Sequence, residues 1–261
     1  MSELIKYHVQ NHIAVITLSN PPANAYSYAM MLQLDEAILK ARMDQEVHVI
    51  LLRGSGDKFF CAGADIEMLG NMTPEFKYYF CLHANETLNR LEQTSKLVVA
   101  ALNGHTVGGG LEIAMAADIR IAKADGGKIG LPEVHLGVLP GTGGTQRLAR
   151  LIGASKSIEL MATGKNLTFL EAKDLGIINH IIPAENFDED AMAYAQTFTP
   201  PHKASCAVGA IKRAVQSGLQ MGFQDGLALE RELQQQLFKS QDAAEGIRAF
   251  NEKRTPEFKG A

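Results

Sequence analysis

The chain has few cysteines and no long apolar run. Its three cysteines form no CxxC pair and are too few for a disulfide framework in 261 residues, which favours a reducing compartment. The longest uncharged apolar stretch, Leu97–Leu102, is far shorter than the roughly 20 residues of a membrane-spanning helix. The segment Met1–Val9 carries Glu3 and Lys6 and so lacks the apolar core of a signal peptide. We therefore expect a cytoplasmic protein with no membrane partner.

Concentrated charge of one sign is also missing. The 25 Lys and Arg residues nearly balance 29 Asp and Glu residues, giving a formal net charge of -4, and no run of five like charges occurs. Because nucleic acids and anionic membranes attract concentrated positive charge, the sequence predicts no nucleic-acid partner. A composition with 46% hydrophobic and 21% charged residues is typical of globular proteins, and we expect one principal domain.

Several sequence motifs of other enzyme classes are absent. The Gly-Lys pairs are Gly127-Lys128 and Gly164-Lys165, and they have Ala122 and Glu159 where a P-loop needs its first glycine. No GxGxxG dinucleotide fingerprint, GxSxG nucleophile elbow or HExxH metal motif occurs. We therefore expect no ATP, redox cofactor, serine nucleophile or bound metal.

The periodicity of apolar residues predicts an α/β protein that becomes purely helical near its end. In chain order we predict a hairpin of Tyr7–Gln10 and Ile13–Leu18, a helix over Ser27–Met43, a strand over Val47–Arg53, a helix over Thr73–Thr94, and strands over Leu97–Leu102, Asp118–Lys123 and Ile177–Ile182. From about Asp188 to Phe250 only helical patterns follow. We divide the chain into an α/β core of residues 1–195 and a helical region with a tail, residues 196–261.

Two glutamates lie beside glycine-rich stretches, and this is the most informative local pattern. Glu112 follows the run Gly108–Gly110, where we predict that a helix begins, and Glu133 follows Pro132. A second glycine-rich stretch spans residues 141–144. Glycines allow backbone N–H groups to approach a ligand, and paired carboxylates can divide general acid from general base. The pattern therefore indicates an acid/base site with oxyanion stabilisation.

Plainer interpretations of the same residues stay open at this stage. Glu112 fits equally a solvated glutamate in the first turn of a helix, where the helix dipole favours negative charge. Glu133 fits an ordinary loop carboxylate, and Gly108–Gly110 could serve tight packing alone.

Three longer motifs carry a resemblance to a known family. They are Phe59–Ile66, Ala101–Glu112 and Leu131–Leu148, followed by the closing segment Lys253–Phe258. In this order and spacing they resemble the enoyl-CoA hydratase/isomerase (crotonase) superfamily over nearly the whole chain. The resemblance implies an α/β fold, a crotonase-like spiral of repeated ββα units with a helical C-terminal trimerisation region. It also implies homotrimers, commonly paired as hexamers, and an acyl-CoA thioester substrate.

The resemblance assigns roles to individual residues. The backbone N–H groups of Ala64 and Gly109 are expected to form the oxyanion hole for the thioester carbonyl. The CoA-binding residues are expected to be Ala62, Ala64, Asp65 and Ile66. A basic residue that many relatives carry after the first hairpin is replaced here by Pro21–Ala25, so we expect the CoA phosphates to meet tail cations instead. The candidates in the tail are Lys253, Arg254 and Lys259.

Glu112 and Glu133 both match the family's catalytic glutamates. In that family the pair marks hydratases, whereas isomerases commonly keep only the later glutamate. The resemblance therefore implies an enoyl-CoA hydratase for short- or medium-chain trans-2-enoyl thioesters, in β-oxidation or a related pathway. Coenzyme A is part of the substrate, and no separate cofactor is expected. The alternatives are a Δ3-Δ2-enoyl-CoA isomerase, or a non-catalytic member of the fold that binds acyl-CoA or RNA.

Overall fold

The computed structural model describes residues 2–261, which form two β-sheets surrounded by helices. The strands are β1 Ile5–Gln10, β2 Ile13–Leu18, β3 Val49–Gly54, β4 Phe59–Cys61, β5 Leu97–Leu102, β6 His105–Val107, β7 Ile119–Lys123, β8 Lys128–Gly130, β9 Leu167–Thr168 and β10 His180–Ile182. The helices are α1 Tyr28–Met43, α2 Ile66–Gly70, α3 Pro74–Gln93, α4 Gly109–Met115, α5 Gly144–Ile152, α6 Ala154–Thr163, α7 Phe169–Asp174, α8 Phe187–Gln196, α9 Ser205–Gly218, α10 Phe223–Leu237 and α11 Gln241–Glu252. A 3-10 turn spans Glu133–Leu136.

The two sheets are built by a repeating unit. The larger sheet has the order β1-β2-β3-β5-β7-β10, and the smaller has the order β4-β6-β8-β9. Three successive strand pairs, β3–β4, β5–β6 and β7–β8, each place one strand in the larger sheet and the next in the smaller, and helices follow each pair. Apart from the β1–β2 hairpin, the pairs in the larger sheet are parallel. The expected α/β fold with repeated ββα units and a helical C-terminal region is confirmed.

The larger sheet is covered on both faces. Ile50 and Leu52 of β3 belong to a core shared with α1, α3 and α4, while Val49 and Leu51 pack on the other side with α8. This double burial explains why β3 and β5 are continuous apolar runs rather than alternating ones. Each fully buried aliphatic side chain contributes about 1.5–3 kcal/mol to folding.

The long helices begin where the sequence predicts. The Ser27 side chain accepts a hydrogen bond from the Met30 N–H at 3.3 Å and begins α1. Thr73 similarly accepts the N–H of Phe76 at 3.1 Å at the start of α3, with Pro74 at the first helical position.

The predicted strand Ile177–Ile182 is wrong in its first half, because only His180–Ile182 is a strand. The N–H groups of Ile177 and Ile178 donate to the carbonyl oxygen of Ala172 and so close the end of α7. Both side chains are buried, and a run of buried apolar residues at the end of a helix has the same sequence pattern as a buried strand.

The smaller sheet was not predicted, because its strands have only two or three residues and show no alternation. Its strands β4, β6 and β8 are mutually parallel, so their carboxyl ends lie at one edge. Ligand sites in parallel α/β sheets form at such an edge. The segments that leave it here are residues 62–66, helix α4 and the turn that carries Glu133.

A buried ion pair joins the C-terminal helices to the core. Lys212 of α9 places its Nζ 2.8 Å from an Asp118 carboxylate oxygen, and its side chain is 3% exposed. The same ammonium donates to the carbonyl oxygens of Leu91 and Lys96.

In residues 2–261 no helix is long and apolar enough to cross a bilayer. The division at residue 195 stays a prediction.

We expect Lys212→Met to lower the free energy of unfolding by about 3–5 kcal/mol, because it leaves the Asp118 carboxylate buried without its cation. Urea denaturation measures this loss. Lys165→Met is the matched control: Lys165 pairs with Glu171 at 3.3 Å on the surface, and its loss should cost less than about 1 kcal/mol. Equal effects of the two substitutions would contradict the anchoring role.

Candidate active site

The edge of the smaller sheet opens into a cavity of about 300 Å³. Both glutamates line it. Ala62, Ala64 and Gly109 line it as well, so residues from three separate motifs meet in one place. Within residues 2–261 no group of three or more His, Cys, Asp or Glu side chains is placed to hold a metal ion.

Glu112 is a buried carboxylate held by two backbone amides. It lies in the first turn of α4 with 2% of its surface exposed. Its Oε1 atom accepts the N–H groups of Thr142 and Gly144, both at 2.7 Å. Burial, together with the charge of Glu133, raises the pKa of Glu112 to about 7, against the lowering effect of those amides. The interpretation of Glu112 as a solvated glutamate is therefore wrong.

Glu133 lies in the 3-10 turn after Pro132 and has an unpartnered oxygen. Its Oε2 atom is buried and has no hydrogen-bond partner among the described residues. Burial raises the pKa of Glu133, while the ammonium of Lys77 lowers it. A buried carboxylate oxygen without a partner is costly to keep, and a ligand or water in the cavity can satisfy it.

The glycine run is required by close packing. A Cβ on Gly109 would lie 2.3 Å from the Tyr26 ring, and one on Gly110 would lie 2.1 Å from the carbonyl oxygen of Cys61. Gly108 has φ +55°, and a Cβ there would lie 3.0 Å from Oε1 of Glu133. The glycines are thus needed for packing, and the same packing brings α4 against the Ala62–Ile66 loop. A role for them beyond packing stays a prediction.

The N–H groups of Ala64 and Gly109 belong to two segments that meet at the cavity. Tyr26 forms an isolated parallel bridge with Ala64, using the carbonyl of Gly63 and the N–H of Asp65. In such a bridge the N–H of Ala64 points away from Tyr26. Gly109 is the first residue of α4, so no carbonyl one turn earlier accepts its N–H. A Cβ on Gly63 would lie only 3.3 Å from the Gly109 nitrogen, so the two loops are in contact.

The predicted CoA-binding residues are divided between the cavity and the local structure. Ala62, Ala64 and Ile66 line the cavity, and Ile66 is 62% exposed. Asp65 caps α2 instead, because its Oδ1 accepts the Met68 N–H at 2.9 Å. Their roles in binding CoA stay predictions.

Of the three tail cations, Arg254 already has partners. Its guanidinium pairs with Glu245 at 2.6 Å and Glu252 at 2.7 Å. A phosphate contact from Arg254 would compete with these ion pairs. For Lys253 and Lys259 the proposed phosphate contact stays a prediction.

Sequence reasoning missed three residues that line the cavity. Tyr26 is 2% exposed, and its hydroxyl lies 3.0 Å from Oγ1 of Thr142. The ammonium of Lys77, on α3, lowers the pKa of Glu133. No local pattern marks Tyr26 or Lys77 in the sequence. For Thr142 the signal was its position inside the second glycine-rich stretch, which we noted without assigning the residue a role.

The arrangement supports proton transfer next to a stabilised oxyanion. One carboxylate is held by amides with a pKa near neutrality, the other has a free oxygen, and two N–H groups lie beside them. Groups with pKa values near the working pH transfer protons efficiently, and preorganised donors stabilise charge that develops on an oxygen.

Comparisons with known proteins show which family the chain belongs to. A family model described as enoyl-CoA hydratase/isomerase matches residues 8–261. A Bacillus subtilis (strain 168) protein named "Probable enoyl-CoA hydratase" is 38% identical over 258 residues, covering 98% of each chain. The "Short-chain-enoyl-CoA hydratase" of Clostridium acetobutylicum is 37% identical over 246 residues, covering 94% of this chain and 93% of the other. A crystal structure of an enoyl-CoA hydratase from Geobacillus kaustophilus HTA426 superposes with a TM-score of 0.96 at 42% identity, covering 100% and 98% of the two chains. The chain belongs to the enoyl-CoA hydratase/isomerase family.

Proposed function

We propose that the protein is an enoyl-CoA hydratase, which adds water across the 2,3 double bond of a trans-2-enoyl-CoA to give a 3-hydroxyacyl-CoA. The observation that carries the proposal is that Glu112 and Glu133 line one cavity together with Ala64 and Gly109. An isomerase needs one carboxylate to move a proton, whereas a hydratase can use two, one as general base for the water and one as general acid for the α-carbon.

The proposed reaction uses each group once. The N–H groups of Ala64 and Gly109 bind the thioester oxygen and stabilise the enolate that forms on it. Glu112 and Glu133 hold a water molecule at the β-carbon. In the reactive state the pair holds one proton, on Glu133. Glu112 takes a proton as the water oxygen bonds to the β-carbon, Glu133 delivers its proton to the α-carbon, and the proton on Glu112 passes back to Glu133 before the next turnover. The pKa of about 7 for Glu112 gives it the basicity that this step requires near neutral pH.

The substrate is proposed to be a short- or medium-chain acyl-CoA of β-oxidation or a related pathway. The name of the Clostridium acetobutylicum relative supports a short chain. The cavity offers apolar side chains near the glutamates, among them Leu69, Leu136 and Leu139. Coenzyme A enters with the substrate, and no further cofactor is proposed. The three cysteines are free, which agrees with a reducing, cytoplasmic location.

The active form is proposed to be a homotrimer or a pair of trimers. The C-terminal helices expose large apolar side chains, and patches of this kind mark interaction surfaces. They are Ile211, Val215, Leu219, Phe223, Phe238, Ile247 and Phe250.

Sedimentation equilibrium of the purified protein should give a mass of three or six chains, because these apolar side chains then leave water. A monomer at micromolar concentration would contradict the proposed assembly.

Wild-type protein mixed with crotonyl-CoA should remove the enoyl absorbance, and Glu112→Gln and Glu133→Gln should each lower turnover by about 10²–10⁴-fold. The reason is that glutamine keeps the size of each side chain but cannot accept or supply the proton. Glu92→Gln is a control, because Glu92 pairs with Arg147 at 2.9 Å and does not line the cavity.

The same reaction in ¹⁸O-water separates hydration from isomerisation. A hydratase places ¹⁸O in the product, whereas an isomerase acting on a 3-enoyl-CoA leaves the product unlabelled. Near wild-type hydration by Glu112→Gln would show that Glu112 is a bystander and would contradict its role as base. Conversion of a 3-enoyl-CoA to an unlabelled 2-enoyl-CoA, with no hydration, would favour the isomerase.

Glu112→Gln should also stabilise the protein at high pH. Because the pKa of Glu112 is raised in the folded state, its contribution to stability is present below the unfolded pKa and is lost as pH rises through about 7. Glutamine keeps an acceptor for Thr142 and Gly144 without this loss. We expect the gain in free energy of unfolding to grow by roughly 1–3 kcal/mol between pH 5 and pH 8, measured by urea denaturation. A gain that shrinks over this range would contradict the raised pKa.

A further inference from the structure

Tyr26 contacts the Ala64 loop, the start of α4 and the Thr142 segment, each through a different group. Its backbone contacts the Ala64 loop, its ring contacts Gly109, and its hydroxyl contacts Thr142 beside Glu112. We propose that Tyr26 is a positioning residue that joins the two oxyanion donors to Glu112 and orients the Thr142 hydroxyl toward that carboxylate. This inference rests on the proposed hydration but adds a residue that the mechanism above does not use.

The backbone of Tyr26 fixes the loop that carries Ala64. Its N–H donates to the carbonyl of Gly63 at 2.9 Å, and its carbonyl accepts the N–H of Asp65 at 3.0 Å. The two bonds flank Ala64 on both sides. The N–H of Ala64 is therefore held in direction while it makes no bond to Tyr26.

The ring of Tyr26 fixes the position of the second donor. It lies so close to Gly109 that a Cβ there would be 2.3 Å from Cε1 and 2.5 Å from the hydroxyl oxygen. The first turn of α4 thus rests on this ring, which also packs against the tilted ring of Phe80 with centroids 5.8 Å apart. Both oxyanion donors are placed by one buried residue.

The hydroxyl of Tyr26 acts on Glu112 through Thr142. Burial and the charge of Glu112 raise the pKa of Tyr26, so the phenol stays protonated, and its oxygen lies 3.0 Å from Thr142 Oγ1, a bond in which either hydroxyl can donate. In the proposed arrangement the phenol is the donor. The Thr142 hydroxyl is then free to donate its own hydrogen to the Glu112 carboxylate, where it lowers the pKa. Chains of hydrogen bonds of this kind strengthen one another in a buried site.

Few other titratable or charged groups lie near the Tyr26–Thr142–Glu112 hydrogen bonds. The guanidinium of Arg147 donates to the carbonyl oxygen of Thr142 at 3.4 Å. Glu133 faces Glu112, and Lys77 faces Glu133. Cys61 and Cys81 face Tyr26, and burial raises the pKa of Cys61 to about 12, so its thiol stays neutral. The Tyr26–Thr142 bond is therefore the contact that a single substitution can remove without adding or deleting a charge.

Tyr26→Phe keeps the ring and the backbone bonds and removes only the hydroxyl. With crotonyl-CoA we expect kcat to fall by about 3- to 10-fold with KM changed less than 2-fold. The acid limb of the pH profile should move to higher pH by a few tenths to about one unit, because the Glu112 carboxylate loses a donor. Tyr26→Leu also removes the support of Gly109 and should lower kcat by roughly 10- to 100-fold.

Two controls separate positioning from general damage. Tyr7→Phe removes another buried tyrosine hydroxyl, which has no hydrogen-bond partner among residues 2–261, and should leave kcat and the pH profile unchanged. In a Thr142→Val background, Tyr26→Phe should cause no further loss, because its effect passes through the Thr142 hydroxyl.

A readout independent of turnover is the pKa of Glu112, measured by NMR of ¹³C-carboxyl-labelled glutamate with the signal assigned by its loss in Glu112→Gln. A higher Glu112 pKa in Tyr26→Phe supports the inference even if the wild type hydrates nothing, in which case only the proposed function fails. An unchanged Glu112 pKa together with unchanged kcat in Tyr26→Phe overturns the inference. Additive effects of the Tyr26 and Thr142 substitutions overturn it as well.

Discussion

The parallel pairing of β4, β6 and β8 is the constraint on which the rest of the site depends. Parallel strands must end at a common edge, so the three segments that follow them are brought together by backbone hydrogen bonds alone. Those segments carry the N–H of Ala64, the N–H of Gly109 with Glu112, and Glu133. The larger sheet supplies the buried core that makes such short strands stable.

The close approach of glycine backbone to its neighbours shapes the proposed reaction site at this edge. Gly109 and Gly110 let α4 approach the Tyr26 ring and the Cys61 carbonyl, and any Cβ would push the helix away. Backbone donors reach the cavity for the same reason. The glycines are therefore needed for packing, and the proposed chemistry depends on that packing.

Burying Glu112 costs stability, and the structure recovers part of that cost with two backbone amides. The remainder appears as a raised pKa, which is the property that a general base near neutral pH requires. Glu133 lies nearer to solvent and to Lys77, so the two carboxyl groups have different environments. Such a difference separates the protonation behaviour of the two carboxyl groups, as paired acid/base catalysis requires.

The sequence by itself determined the hairpin, the long helices, the buried strands and, through three motifs, the family and the two glutamates. These features rest on local periodicity, capping residues and a glycine pattern that are visible over short stretches. Only the tertiary structure decided the smaller sheet, whose strands are too short for periodicity, and the presence of Tyr26 and Lys77 at the cavity. Tyr26 lies far along the chain from Gly109 and Thr142, and its contacts exist only because the folded backbone brings the three segments together. The burial that shifts the pKa of Glu112 is likewise a property of the folded protein, since no local sequence feature sets the dielectric around a side chain.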